Sequence, residues 1–235
     1  MTEESNSTTP WDTGVSVMIL MYHSDVDLAE PGLAFSGSLT MPVLRALDGR
    51  SLPASAAQIA RTVVEGTPAG IRRSLERLSQ HGICNREQLG GRSLYSLNYE
   101  HVLYQAVRAA LEANDLFVKR LRDTLSSWEP HPVAGVLFGS AARRGGDIES
   151  DIDVLLIRPK MSSTVRKRSW APQVHDLRTQ VHSWSGNHLQ ALDWTESSLR
   201  RFAARREALI DEIRREGVTL YGRSVSELLK TRQAP

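Results

Sequence analysis

Cysteine is nearly missing. Cys84 is the only one in 235 residues, which excludes an internal disulfide and a cysteine-based zinc cluster and leaves Cys84 to read as a small buried hydrophobe. Long apolar runs are missing too. The longest, residues 15–22 (VSVMILMY), is far shorter than the roughly 20 residues of a bilayer span. Basic residues are missing ahead of it, where Glu3, Glu4 and Asp12 stand. That is the wrong charge for a signal peptide, so the expectation is a cytoplasmic protein with no membrane partner. A large net charge is absent: 29 Lys and Arg against 27 Asp and Glu leave a formal +2. This excludes a chain-wide polycation and leaves local basic patches to be judged one by one. There is no internal repeat and no low-complexity tract. The composition that remains is ordinary for a globular protein, 40% hydrophobic and 24% charged, and the length suits two small domains or one large one.

Pattern along the chain gives a two-domain α+β organisation. Residues 1–37 read as a polar, turn-rich tail around the one apolar run. Residues 38–98 read as three helices and a hairpin. The first covers 39–47 and the second 55–64. The third covers 67–81, opened by Thr67-Pro68 as N-cap and first-turn proline and closed at Gly82. Within it Ile71, Leu75 and Leu78 share one face. The apolar pairs flanking Gly90-Gly91 read as a β-hairpin. Residues 99–129 form a helical linker. Residues 130–223 alternate strand and helix: strands at 133–138, 152–157, 188–194 and 218–221, and helices at 166–184 and 197–216. In the last helix Leu199, Phe202, Leu209 and Ile213 point inward. Residues 224–235 read as a tail.

Chemistry concentrates in residues 136–157, VLFGSAARRGGDIESDIDVLLI. Asp151 and Asp153 are two apart on a strand, so their carboxylates share a face. Like charges side by side are tolerable when a dication sits between them. Hard oxygen ligands suit magnesium, which also takes oxygens from a phosphate. Gly139, lacking a Cβ, lets backbone approach a phosphate closely. Ser140 and the following amides begin a helical turn, and Arg143 and Arg144, one turn on, are in reach of phosphate oxygens. A phosphate cradle facing a metal-holding strand is equipment for phosphoryl or nucleotidyl transfer.

The Gly-Ser turn, the spacer of about ten residues and the Asp-x-Asp strand resemble the signature of the DNA-polymerase-β-like nucleotidyltransferase superfamily, and the short domain resembles its minimal members. The resemblance covers about residues 130–223 and implies an α/β nucleotidyltransferase fold with a mixed sheet. It gives Gly139 and Ser140 the nucleoside triphosphate and Asp151 and Asp153 two Mg2+ ions. Family members that transfer carry a third carboxylate on a later strand. Here Asp193, between Leu192 and Trp194, is the candidate base or third ligand. Gln190 competes for the place, and the two residues point to opposite faces of a regular strand.

The N-terminal half resembles a winged helix-turn-helix domain, with the third helix as recognition helix. Residues 61–92 hold six Arg against three Glu. Arg72, Arg73 and Arg77 on the helix and Arg86 and Arg92 on the wing suit contacts to double-stranded DNA. A dimerisation module or spacer with a solvated arginine face is the alternative. His175, His182 and His188 match no ligand spacing, and the arginine clusters at 166–168, 200–201 and 205–206 read as solvated helix faces.

Two functions follow. One is a magnesium-dependent transfer of a nucleoside monophosphate to an acceptor hydroxyl on a small molecule, an RNA end or a protein. The other is a DNA-binding regulator, antitoxin-like, whose transferase domain binds nucleotide or a protein partner without turnover. A homodimer is compatible with both.

Overall fold

The computed structural model describes residues 31–144, 150–161 and 164–230. The chain forms two compact units that divide between Leu111 and Glu112. That point lies inside one continuous helix, α4 (Tyr104–Ser126), rather than at either end of it.

The first unit holds α1 (Thr40–Leu47), β1 (Ala54–Ser55), α2 (Ala56–Ala60), α3 (Pro68–Gln80), β2 (Cys84–Leu89) and β3 (Arg92–Leu97). Helix α3 forms where the caps place it. The Thr67 hydroxyl accepts the Gly70 amide at 3.1 Å, Pro68 supplies the first-turn φ, and Ile71, Leu75 and Leu78 are buried. Gly90 and Gly91 turn the hairpin with φ of 56° and 75°, a pair of left-handed values that glycine adopts without strain. The three strands run in the order β1-β3-β2, all antiparallel. Helix α2 is shorter than its apolar pattern. Ser55 instead joins Ala54 in β1, where the two pair with Leu94 and Tyr95. At its other end the β-branched Thr62, Val63 and Val64 are poor helix formers, and Val64 is left fully exposed. Cys84 is buried, and burial pushes its thiol up to about 12, so it packs as a hydrophobe.

The second unit is built on a mixed sheet of order β6-β5-β4-β7. Its strands are β4 (Ala134–Phe138), β5 (Ile152–Ile157), β6 (Leu189–Trp194) and β7 (Val218–Gly222). Strand β5 runs antiparallel to β4 and parallel to β6, and β7 is antiparallel to β4. Helices cover both faces. Ile152, Val154 and Leu156 pack with Leu121 and Leu125 of α4 and with Trp170, Val174, Leu177 and Val181 of α6 (Thr164–Ser185). Leu155 and Ile157 pack with Leu199, Ile210, Ile213, Val225 and Leu228 on the other side. A strand buried on both faces reads as an unbroken apolar run, as 154–157 does.

Two expectations need correction. The helix expected over 197–216 is two helices, α7 (Glu196–Ala204) and α8 (Ala208–Glu216). The chain breaks between them at Arg206, whose φ of 54° is left-handed, and each helix then buries its own stripe. The expected C-terminal tail carries a helix, α9 (Val225–Lys230), that buries Val225 and Leu228. Its start is a reciprocal cap. The Ser224 amide donates to the Glu227 carboxylate at 2.7 Å, and the Glu227 amide donates to the Ser224 hydroxyl at 3.2 Å. At the other end, residues 31–35 form a 3-10 turn (Pro31–Phe35) with Ala34 in the first core, while the apolar run 15–22 lies outside the described residues.

Leu155 is fully buried at the centre of the second sheet. Leu155→Ala is expected to cost about 2–5 kcal/mol, read as a lower urea midpoint by the fluorescence of Trp128, Trp170, Trp184 and Trp194, all in that unit.

Candidate phosphate and cation site

The antiparallel pairing of β4 and β5 sets Phe138 opposite Asp153. The chain leaves β4 at Gly139 and enters α5 (Gly139–Ala142), a single short turn. Gly139 has φ of 69°, and a Cβ built on it would collide with the Asp153 carboxylate. Glycine is therefore required here twice over, by the left-handed backbone and by the contact. Ser140 follows at the surface of the turn, half-buried. The turn and the acidic strand thus meet.

Asp153 is half-buried and Asp151, two residues earlier at the strand mouth, is exposed. The Asp153 carboxyl titrates above its usual range. Burial is the main cause, followed by the charges of Asp151 and of Glu212 on α8. Two carboxylate oxygen donors of this kind fit a hard dication that would complete its shell with phosphate oxygens. Among the described residues no set of three or more His, Cys, Asp or Glu converges to hold a metal by itself.

The third carboxylate does not join them. Gln190, not Asp193, stands beside Asp153 in the parallel register, and Asp193 pairs with Leu156. Three residues apart on a strand, the two side chains take opposite faces. Asp193 lies on the α6 face, where its Oδ2 accepts the Trp170 indole N–H at 3.1 Å and Arg158 at 3.4 Å. Its Oδ1 is buried with no hydrogen-bond partner among the described residues.

The two arginines after the turn are engaged elsewhere. Arg143 donates from Nη1 to Glu212 at 3.0 Å and to Glu216 at 2.7 Å, both on α8. It is the first cause, ahead of Arg215, holding the Glu216 carboxyl below the usual range. Arg144 pairs with Asp115 at 2.5 Å. Sequence reasoning missed Glu212, which looks like any charge on an amphipathic helix. The available signal was that Glu212 and Glu216 lie one helical turn apart and so present two carboxylates on one side.

In the first unit the five arginines separate. Arg72, Arg73 and Arg92 are exposed, Arg72 near Glu76 at 3.8 Å. Arg86 lies along the hairpin, its Nε donating to the Ser93 hydroxyl at 3.1 Å. Arg77 turns inward: its Nη2 donates to the Thr40 hydroxyl at 2.5 Å, and a Cβ on Gly37 would press on its guanidinium at 2.8 Å. Arg77 therefore ties α3 to α1 rather than facing solvent. Arg61, which the sequence did not single out, lines an open groove of about 630 Å³ with Gln58, Arg92 and Leu94. The imidazoles of His182 and His188 stack at 5.0 Å. No helix among the described residues is long and apolar enough to cross a membrane.

No family model matches the chain, and no curated protein matches it. Among solved structures it is similar to a mutant toxin–antitoxin MntA–HpeT, at 16% identity over 49% of this chain and 80% of that one, with a TM-score of 0.30. It is similar also to a toxin–antitoxin with AMP-PNP, at 18% identity over 49% of this chain and 80% of that one, with a TM-score of 0.30. At that level the likeness says nothing of what this chain binds.

Asp153 gives a pH test of its surroundings. Because its folded carboxyl titrates above the ordinary 3.8, ionising it destabilises the fold. The stability it allows is complete below 3.8 and is lost as pH rises through the raised value. Asp153→Asn in metal-free buffer is expected to melt above the wild type at pH 7, with the gap closing as pH falls toward 3.8. A lower melting temperature at pH 7 would contradict the assignment.

Proposed function

We propose that the second unit is a nucleotidyltransferase-type domain that binds a nucleoside triphosphate with magnesium and passes the nucleoside monophosphate to an acceptor hydroxyl. The observation that supports this reading is that the Asp153 carboxylate stands where a Cβ on Gly139 would be, so the glycine turn and the acidic strand meet. The first amides of the turn after Gly139, which have no partner within it, would meet the incoming anion. Ser140 adds a hydroxyl. Asp151 and Asp153 would hold the cation, and their mutual repulsion is what its charge relieves. When bound, magnesium would neutralise phosphate charge in the in-line displacement. In that displacement the acceptor oxygen bonds to the α-phosphorus, the α–β bridging bond breaks and pyrophosphate leaves. The hydroxyl proton must pass to a base on the Asp153 face of the sheet, which Asp193 is not.

The first unit reads as a winged helix in this proposal, with α3 presenting Arg72 and Arg73 and the β2–β3 hairpin presenting Arg92 to double-stranded DNA. Its three helices and antiparallel β1-β3-β2 sheet support that reading.

A second function has its own observation. With Gln190 in the place next to Asp153, the sheet carries no third acid from β6. That favours a DNA-binding regulator whose second unit senses nucleotide, or docks a protein partner, without turnover.

Labelled nucleoside triphosphates incubated with the protein, magnesium and a cell extract separate the two. Label on a macromolecule, lost in Asp151→Ala, is the outcome expected of transfer; saturable nucleotide binding with no labelled product for any of the four bases is that expected of the regulator. For the first unit, a salt-sensitive gel shift on duplex DNA should be lost in Arg72→Ala/Arg73→Ala, whereas an unaltered shift would remove α3 as the recognition helix.

A further inference from the structure

The first unit leaves two open grooves beside α2, and Ala57 lines both. One, of about 630 Å³, lies between α2 and the β2–β3 hairpin, and its lining joins Leu89 and Leu94 to Arg61 and Arg92. The other, of about 300 Å³, lies between α2 and the head of α3, where Ala56, Pro68 and Ala69 stand with Arg72. Neither lining includes an Asp or Glu. Arg61 and Arg92 have no ion pair among the described residues, and Leu89 is left 62% exposed. Open apolar side chains beside cations without counter-charge suit a partner that is apolar and acidic at once. Duplex DNA meets the charge but leaves the leucine to water.

The chain carries a segment of that chemistry. Residues 1–30 hold six acids, Glu3, Glu4, Asp12, Asp25, Asp27 and Glu30, and no Lys or Arg. The apolar run 15–22 stands between Asp12 on one side and Asp25 and Asp27 on the other. Residues 31–111 have the opposite sign, with nine Arg against five Asp and Glu. The described chain also begins close to the grooves. The Gly37 backbone lies against the Arg77 guanidinium of α3, and the Leu39 side chain lies against Gly66 and Gly70 at the head of that helix, the same head that lines the second groove. Nine residues separate the apolar run from Pro31. Extended, they reach about 30 Å, more than the roughly 20 Å length of a 13-residue helix such as α3.

We propose that the two grooves flanking α2 are a docking surface for the chain's own residues 12–27: the apolar run covers Leu89 and the alanines, and Asp12, Asp25 and Asp27 meet Arg61, Arg72 and Arg92. The docking itself is independent of the function proposed above. One consequence rests on the DNA-binding reading. Arg72 and Arg92 cannot serve the segment and a duplex together, so the docked segment and DNA exclude each other.

The test uses the full chain with Thr13→Cys carrying a nitroxide spin label. Cys84 is buried and its thiol is pushed up to about 12, so the label goes to residue 13, with the unsubstituted chain as control. The amide signals of Gln58, Gly90 and Arg92 are expected to be broadened selectively at about 0.05 M salt and to recover at about 0.5 M. They should also recover in Arg61→Ala/Arg92→Ala, at two exposed positions, and in Asp12→Asn/Asp25→Asn/Asp27→Asn, which leaves the grooves untouched. Broadening spread evenly over the unit, or unchanged in both variants, overturns the docking surface. For DNA, the triple Asp→Asn chain is expected to bind a duplex about five- to twentyfold more tightly than the wild type at the lower salt. Asp123→Asn/Asp176→Asn/Asp211→Asn adds the same charge in the second unit, and a gain no larger than this control gives overturns the exclusion. If the label localises and no chain binds a duplex, the DNA-binding reading falls and the docking surface stands. If DNA binding depends on Arg72 and Arg73 and the label does not localise, the docking surface falls alone.

Discussion

Two carboxylates one strand step apart, with one of them pressed against a glycine backbone, set the terms for the second unit. The contact between Asp153 and Gly139 fixes three things at once. It demands glycine at 139, it holds the turn at the mouth of β5, and it keeps a charged group half-buried beside Asp151 and within the field of Glu212. Burial and like charge both raise the cost of ionising Asp153. The sheet supplies the rigidity that sustains this: Val154 to Ile157 are fully buried, with helices on both faces, so the acids cannot retreat. What relieves the site is a positive charge, and the nearest cationic side chain from the turn, Arg143, faces α8 instead.

Local features were legible in the sequence because their causes are local. The turn, the acidic strand, α3 with its Thr67 cap, and the Gly90-Gly91 hairpin are each specified by neighbours within a few residues. The strands and helices of the second unit followed from their alternation in the sequence, and the mixed order of the sheet was what the family resemblance implied. The places that were not legible depend on partners far along the chain. Asp193 sits between apolar residues as a catalytic acid would, but register, not sequence spacing, decides its face, and the β5–β6 pairing puts Gln190 beside Asp153. Arg143 and Arg77 look alike as basic residues near a binding motif. One is held by α8, some 70 residues later (69 to Glu212 and 73 to Glu216), and the other by Thr40, 37 residues earlier.

The other differences have simple origins. One amphipathic stripe over 197–216 became two helices because Arg206 takes a left-handed conformation, which a side-chain pattern does not reveal. The C-terminal helix was announced by Ser224 and Glu227, a capping pair three residues apart, followed by Val225 and Leu228 on one side. In the first unit the pattern gave the helices and the hairpin but overstated the basic face. Arg77 holds two helices together, and Arg61 and Arg92 share a groove.

The central claim is that Asp151 and Asp153 form a place for a dication that phosphate oxygens complete. Manganese titration followed by electron paramagnetic resonance reads that directly, because bound manganese loses the free-ion signal. The account expects saturable binding that tightens when tripolyphosphate is added and that disappears in Asp153→Asn, the variant whose fold gains from losing the charge. Binding that is the same in Asp153→Asn as in the wild type, with or without tripolyphosphate, would contradict it.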